Sequence, residues 1–428
     1  MKDMPIAEKS SVVSGFYKLP IEKRREFVAQ FVNLSEDDMK IFSSCLDLTT
    51  ADRMIENVLG TFEIPLGLAV NFLINGKDYL IPMATEESSV VAAASNAAKI
   101  ARIKGGFSTT CSEPLMIGQL QLLHIKDVVT AAQDILNHKE QLLTLANSQD
   151  KILVNLGGGA RDIEVRILDS PLGHMIITHL IVDVRDAMGA NAVNTMCEAL
   201  APVLEEISGG QVRLKILSNL ADKRLAKATA IFDKEKMGGG HVVDAFLESY
   251  VLALIDPYRA ATHNKGIMNG IDSLIIATGN DFRAIEAGAH AYAARNGQYT
   301  SLTNYHKNSN GDLVGEIELP LAVGIVGGAA NMHPKAKLCR KILGVQTAGE
   351  LAEIVASLGL AQNFAALFAL STVGIQKGHM SLHAKNIAVM AGAQGNEIEK
   401  LADQLVHDGK VKLDYAKELL EKIRKNTK

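Results

Sequence analysis

The sequence predicts an α+β protein: a large, mainly helical domain with β-hairpins, interrupted by a small ferredoxin-like α+β domain and followed by a C-terminal helical segment. Three observations predict it. Ala-rich runs at helical spacing lie toward both ends of the chain, Asn75-Gly76 sits inside an alternating apolar run, and residues 111–218 follow the order helix, two or three strands, helix, strand. With 428 residues the chain is long enough for two or three domains of roughly 150 residues each. A content of 47% hydrophobic and 21% charged residues, with a net charge of −4, describes an ordinary globular protein and offers no basic excess for nucleic acid. Aromatic residues make up only 5% and Trp is absent, which counts against stacking platforms for single strands or sugars.

The elements follow in order. Residues 1–110 open with helices over Pro20–Asn33 and Ser35–Cys45, where Ser35 precedes three acidic residues as an N-cap. Leu68–Ile81 then reads as a hairpin around Asn75-Gly76, a pair suited to the positive φ angles of a type I′ turn. A helix beginning near Thr85 carries the Ala-rich run Val90–Ile103. Within 111–218 the reading is a helix at Lys126–Asn147, strands from Ile152 and Ile163, a strand at Met175–Val184, a helix at Ala187–Ile207 and a strand at Gln211–Leu217. Residues 219–376 resume helices at Gly240–Ile255 and Asp281–Asn296, with a second hairpin over Gly311–Gly324. Ile354–Gln376 is uncharged and long enough to span a bilayer, but its Ser, Gln and Asn residues favour a helix buried in protein or at a subunit interface. Residues 377–428 form a charged helical appendage.

Single motifs say little. Gly157-Gly158-Gly159-Ala160 fails the dinucleotide spacing, and no Walker A sequence is present. Asp186-Ala187-Met188-Gly189-Ala190-Asn191 lies at a strand-to-helix junction, where free amides attract anions, although a helix capped by Asp186 explains it as well. His379 and His383 have the spacing of a zinc protease helix but lack its Glu, so no metal site is expected. Glu86-Glu87 suits a helix start, Lys265 falls in the Gly- and Asn-rich loop Thr262–Gly270, and Asp281 reads as an N-cap. Cys45, Cys111, Cys197 and Cys339 are too scattered for a disulfide framework, and Met1–Arg25 lacks the apolar stretch of a signal peptide; both favour the cytoplasm.

Taken together and in this order, the segments resemble one family across essentially the whole chain: the class II 3-hydroxy-3-methylglutaryl-CoA (HMG-CoA) reductases of bacteria and archaea. The markers are Glu56-Asn57-Val58-Leu59-Gly60, Pro82-Met83-Ala84-Thr85-Glu86-Glu87, Asp186–Asn191, Thr262–Gly270, Gly279-Asn280-Asp281 and Gly378-His379-Met380. Thr-Glu-Glu-Ser stands where the membrane-anchored class has Thr-Thr-Glu-Gly.

The resemblance implies reduction of HMG-CoA through a thiohemiacetal and mevaldehyde to mevalonate and CoA, by two hydride transfers from NADPH or NADH, with no metal. It assigns Lys265 to stabilising the carbonyl oxygen as a buried ammonium, and Asp281 to tuning that lysine. Glu87 becomes a proton donor with a raised pKa, and His379 the donor to the departing thiolate. Ser89, Arg259 and Asn269 match substrate-binding positions; Asp186, Ala187, Met188, Gly189 and Asn191 match the nicotinamide-cofactor motif of the small domain. Asp150 falls near an acidic residue that accepts a ribose 2′-hydroxyl in some relatives, whereas Lys151 suits a 2′-phosphate, and the reading favours NADPH. The resemblance further implies a homodimer with the active site at the subunit interface, no membrane or nucleic-acid partner, and a flap formed by the tail after Lys377. Three alternatives remain open: the same enzyme run oxidatively with NAD in mevalonate breakdown, a non-catalytic CoA- or nucleotide-binding protein, and a zinc hydrolase using His379 and His383.

Overall fold

Three short helices, α1 (Ile21–Val32), α2 (Glu36–Ile41) and α3 (Leu48–Met54), lead the chain in the computed structural model, which describes residues 10–328, 331–372 and 375–425, the side chains of 375–382 and 425 excepted. Ser35 and Asp38 cap α2 reciprocally, and the acidic first turn suits the positive end of the helix. Phe16 and Val28 from this arm pack with Val70, Leu80, Leu338 and Ile342. Strands β1 (Leu66–Ile74) and β2 (Lys77–Ala84) form the expected hairpin, with Asn75 and Gly76 both at positive φ. Helix α4 (Val90–Arg102) begins five residues later than the sequence suggests, because β2 runs to Ala84 and residue 89 is the cap. Four of its six alanines, Ala94, Ala97, Ala98 and Ala101, are fully buried, so the small side chains serve close packing.

After β3 (Phe107–Cys111) the chain enters a second sheet through β4 (Leu115–Leu123), a strand absent from the sequence reading. Two helices follow where one is expected, α5 (Val128–Asn137) and α6 (Lys139–Ser148), meeting at His138. Ile152 lies in a helical turn, α7 (Lys151–Asn155), rather than in a strand: the Asp150 carboxylate accepts from the Leu153 amide at 2.9 Å and supplies the cap that a strand lacks. Strands β5 (Gly159–Ser170) and β6 (Gly173–Asp183), helix α8 (Ala190–Ser208) and strand β7 (Gln211–Ser218) complete the unit. Its antiparallel order β5-β6-β4-β7 is the ferredoxin-like arrangement. Gly118 in β4 lets α8 settle on the sheet, since a Cβ there would lie 2.3 Å from the Cys197 sulfur. Gly189, not Asp186, is the cap of α8.

The chain returns to the first sheet with β8 (Leu225–Phe232), followed by α9 (Lys234–Met237), α10 (Gly240–Ile255), α11 (Pro257–Thr278) and α12 (Phe282–Ala293). The presumed loop Thr262–Gly270 is the interior of α11. Asp256 caps that helix and Pro257 opens it, so the helix is well started before its glycines are reached. Gly311–Gly324 is likewise not a hairpin; Asn310-Gly311 forms the turn between β9 (Thr303–Lys307) and β10 (Leu313–Pro320). The larger sheet runs β2-β1-β3-β8-β10-β9.

Helices α13 (Pro334–Leu343) and α14 (Ala348–Ser371) close the large unit. Among the described residues α14 is the one helix long and apolar enough to cross a membrane, yet most of its apolar stretch is buried inside the protein. It lies against α11, α4 and β8 as a core helix. The last three helices, α15 (Ile375–Met390), α16 (Asn396–His407) and α17 (Leu413–Lys425), bury Ala384, Leu401, Leu405, Ala416 and Leu420 in a core of their own.

Candidate active site

Two elements far apart in sequence meet at one carboxylate. Helix periodicity puts Lys265 and Asn269 on one face of α11, and the loop from β2 to α4 brings Glu87 to that face. The Lys265 ammonium donates to Glu87 Oε2 at 3.1 Å, and the Asn269 side-chain amide donates to the same oxygen at 3.3 Å. The pair lies open in the single chain, with the Lys265 side chain 62% exposed and that of Glu87 41% exposed. An ammonium beside a carboxylate on an open face can polarise a carbonyl oxygen and pass a proton within one short radius.

Ser89 stands next to this pair as the cap of α4 with φ 74°, a left-handed conformation that a serine adopts only under constraint. Its hydroxyl is buried without a hydrogen-bond partner among the described residues, a donor left for a ligand. Arg259 is half-buried near the start of α11, and six residues place it about 120° around the helix from Lys265. Burial lowers its pKa from the ordinary guanidinium value.

Asp281 does not reach Lys265. It caps α12, and its two carboxylate oxygens accept from the Arg283 guanidinium at 3.0 Å each, which holds its pKa below the usual carboxylate range. Asp272 lies seven residues after Lys265 on the same stripe of α11. Burial and the neighbouring Glu286 push its pKa up. Nothing in the sequence sets Asp272 apart, because the effect arises from where α12 lands. His379 belongs to α15, but its side chain falls outside the described residues, as does any role for it as a proton donor.

In the small sheet's unit, residues 184–189 form the turn from β6 into α8. Gly189 has φ 99°, and a Cβ there would lie 2.4 Å from Val184. No side chain caps α8, so its first amides are left for an anion, a feature that fits the diphosphate of a dinucleotide. The Asp186 carboxylate accepts from the Ala348 amide at 2.7 Å, fixing the turn against α14. Met188 and Asn191 lie in and just beyond this turn. Asp150 and Lys151 sit at the start of α7; one oxygen of Asp150 is engaged in capping, and Lys151 is exposed. Sequence reasoning missed Arg224, a buried cation whose guanidinium donates to the carbonyls of Ala187 and Met188. No group of His, Cys, Asp and Glu capable of holding a metal occurs among the described residues.

The family model for hydroxymethylglutaryl-coenzyme A reductase matches residues 20–384. The chain is 59% identical over 416 residues to the 3-hydroxy-3-methylglutaryl-coenzyme A reductase of Archaeoglobus fulgidus, covering 97% of this chain and 95% of that one. Among solved structures, the Streptococcus pneumoniae reductase superposes with a TM-score of 0.83 at 42% identity, covering 96% of this chain and 99% of that chain. A second Streptococcus pneumoniae structure, of the class II enzyme bound to NADPH in open conformations, gives a TM-score of 0.80 at 42% identity over 95% and 100% of the two chains.

Proposed function

The chain belongs to the hydroxymethylglutaryl-coenzyme A reductase family, and from that premise we propose that it reduces HMG-CoA to mevalonate and CoA, with NADPH as reductant. The convergence of Lys265 and Asn269 on Glu87 Oε2 carries the reading. A nicotinamide cofactor would supply one hydride per reduction when bound, so the two reductions together would consume two molecules of it. As each carbonyl carbon is reduced, its oxygen gains charge, and the Lys265 ammonium faces that oxygen. Glu87, already within hydrogen-bond reach of Lys265, delivers the proton that completes the alcohol. His379 protonates the departing CoA thiolate, and Asp281, paired with Arg283 in the single chain, is the carboxylate assigned to tune Lys265. Ser89, Arg259 and Asn269 bind the hydroxymethylglutaryl group, the guanidinium matching its free carboxylate.

The residues of the small unit fit a dinucleotide. The uncapped start of α8 suits the diphosphate, with Asp186, Ala187, Met188, Gly189 and Asn191 around it. NADPH is favoured over NADH because Lys151 is exposed beside an Asp150 already engaged as a cap. The openness of Lys265 and the exposure of Leu59 and Phe62 on the extended segment after α3 support a homodimer in which a second copy covers the site. The scattered free cysteines support a cytoplasmic setting. Nicotinamide absorbance followed with HMG-CoA and either NADPH or NADH tests the proposal. Turnover with NADPH exceeding that with NADH is the expected result, and no turnover with either would overturn it.

A further inference from the structure

We infer that Arg224 is a positioning residue that holds the Asp186–Gly189 turn in register with the Lys265 corner, an inference that rests on reading that turn as part of the nicotinamide site. Arg224 stands one residue before β8, in the large unit, and is 5% exposed. Its guanidinium makes no ion pair among the described residues. It donates instead to three backbone carbonyls: Ala187 at 3.1 Å and Met188 at 3.3 Å on one side, Val323 at 2.5 Å on the other. Burying a guanidinium without a paired carboxylate is costly, and its rigid fork of donors suits the joining of separate backbone strands. Asp186 and Asp183 offset part of that cost through space, and the group's pKa, lowered by burial to about 10, leaves it charged at neutral pH.

The opposite wall of the turn is segment 323–326. The Ile325 amide donates to the Asp186 carbonyl at 2.9 Å, and Ala187 bridges Val326 in parallel. Gly324 is in van der Waals contact with the turn, because a Cβ there would lie 2.6 Å from the Met188 nitrogen. The same Gly324 donates its amide to Asn280 Oδ1 at 2.8 Å, and Asn280 directly precedes Asp281. Arg224 and segment 323–326 therefore grip the cofactor turn from two sides and tie it to the end of α11, the helix that carries Lys265. Hydride transfer tolerates little displacement, so a grip of this kind sets the approach of one half of the site to the other.

Two substitutions disturb the grip by different means. Arg224→Lys keeps the charge but loses the fork, and Gly324→Ala keeps Arg224 but pushes a methyl into the Met188 backbone. The readouts are NADPH affinity by fluorescence titration, HMG-CoA affinity by calorimetry and a melting curve for each variant. The expected result is NADPH binding weakened about tenfold in both folded variants, with HMG-CoA binding changed less than about twofold. Arg224→Met should lose more than Arg224→Lys. Unchanged NADPH affinity in a folded variant, or parallel loss of both ligands, would overturn the inference. Where an Arg224 variant does not fold, Gly324→Ala decides alone. Wild-type protein that binds no NADPH would instead overturn the functional reading.

Discussion

Thr262–Gly270 and Asp186–Asn191 carry similar punctuation, glycine and asparagine among small residues, yet one is a helix interior and the other a turn. The difference lies in what surrounds each glycine. Gly266 and Gly270 keep helical φ angles, and Gly270 is where α14 presses on α11: a Cβ there would lie 2.9 Å from the Gln362 Cβ. Gly189 sits at φ 99° against Val184, a conformation no helix accommodates. In α11, neighbouring polar groups complete the commitment to helix. His263 Nε2 lies 2.8 Å from the Thr303 hydroxyl, and the Asn264 side chain bonds both Thr300 and Leu302. Composition marks both segments as places of close approach, but it does not say whether a helix or a ligand makes the approach.

Four measurements would break or sharpen this contrast. The largest effect is expected at Lys265, the cation that the helix presents. Lys265→Ala should slow reduction of HMG-CoA by about 10²–10³-fold with the melting temperature nearly unchanged, and near-normal turnover would remove it from the chemistry. Next comes acid stability. His263 is buried neutral, with its pKa lowered to about 3 from an ordinary 6.5 by desolvation and by Arg259. The unfolded chain takes up that proton below about pH 6.5 while the folded chain does not. Stability should therefore be whole above that pH and fall toward pH 3 by about 1.4 kcal/mol per unit. Urea unfolding across that range checks it, and His263→Asn should flatten the slope.

Gly189→Ala should remove about 1–3 kcal/mol, because the new methyl meets Val184 in a backbone conformation that alanine resists. Equal urea midpoints for variant and wild type would show that the turn adapts freely. The smallest effect runs the other way. Gly266 has nothing within 4 Å of an added Cβ, so Gly266→Ala should stabilise the chain by about 0.5–1 kcal/mol. A raised melting temperature in differential scanning calorimetry is the signature of a helix interior; a lowered one would favour the loop reading.

Local signals were legible where a few adjacent residues decide the backbone. Asn75-Gly76 gave its hairpin, Ser35 and Asp281 gave their caps, and the alanines of residues 90–103 announced a helix packed at close range. The strand β4 is hard to read because its mixed run of Leu, Gln and Gly alternates only weakly, and its place is set by β6 and β7, distant in the chain, pairing along its two edges. Ile152 misled because β-branched residues favour strands unless a cap intervenes, as Asp150 does. Of the site, Glu87, Lys265 and Asn269 were named from the sequence as members of a motif set. Arg224 and Asp272 were not, since each owes its character to burial by segments distant in the chain.

By itself, then, the sequence determined the α+β class, the hairpin and caps, the family resemblance and the residue types available for reduction, because these depend on short-range backbone preferences and on ordered motifs. Only the tertiary structure decided that Thr262–Gly270 is helical, that Asp281 turns to Arg283 rather than to Lys265, and that a buried arginine grips the turn before α8. Those outcomes depend on which groups meet after the two sheets and α14 pack together. Desolvation and hydrogen bonding at such meetings are set by neighbours that no short stretch of sequence contains.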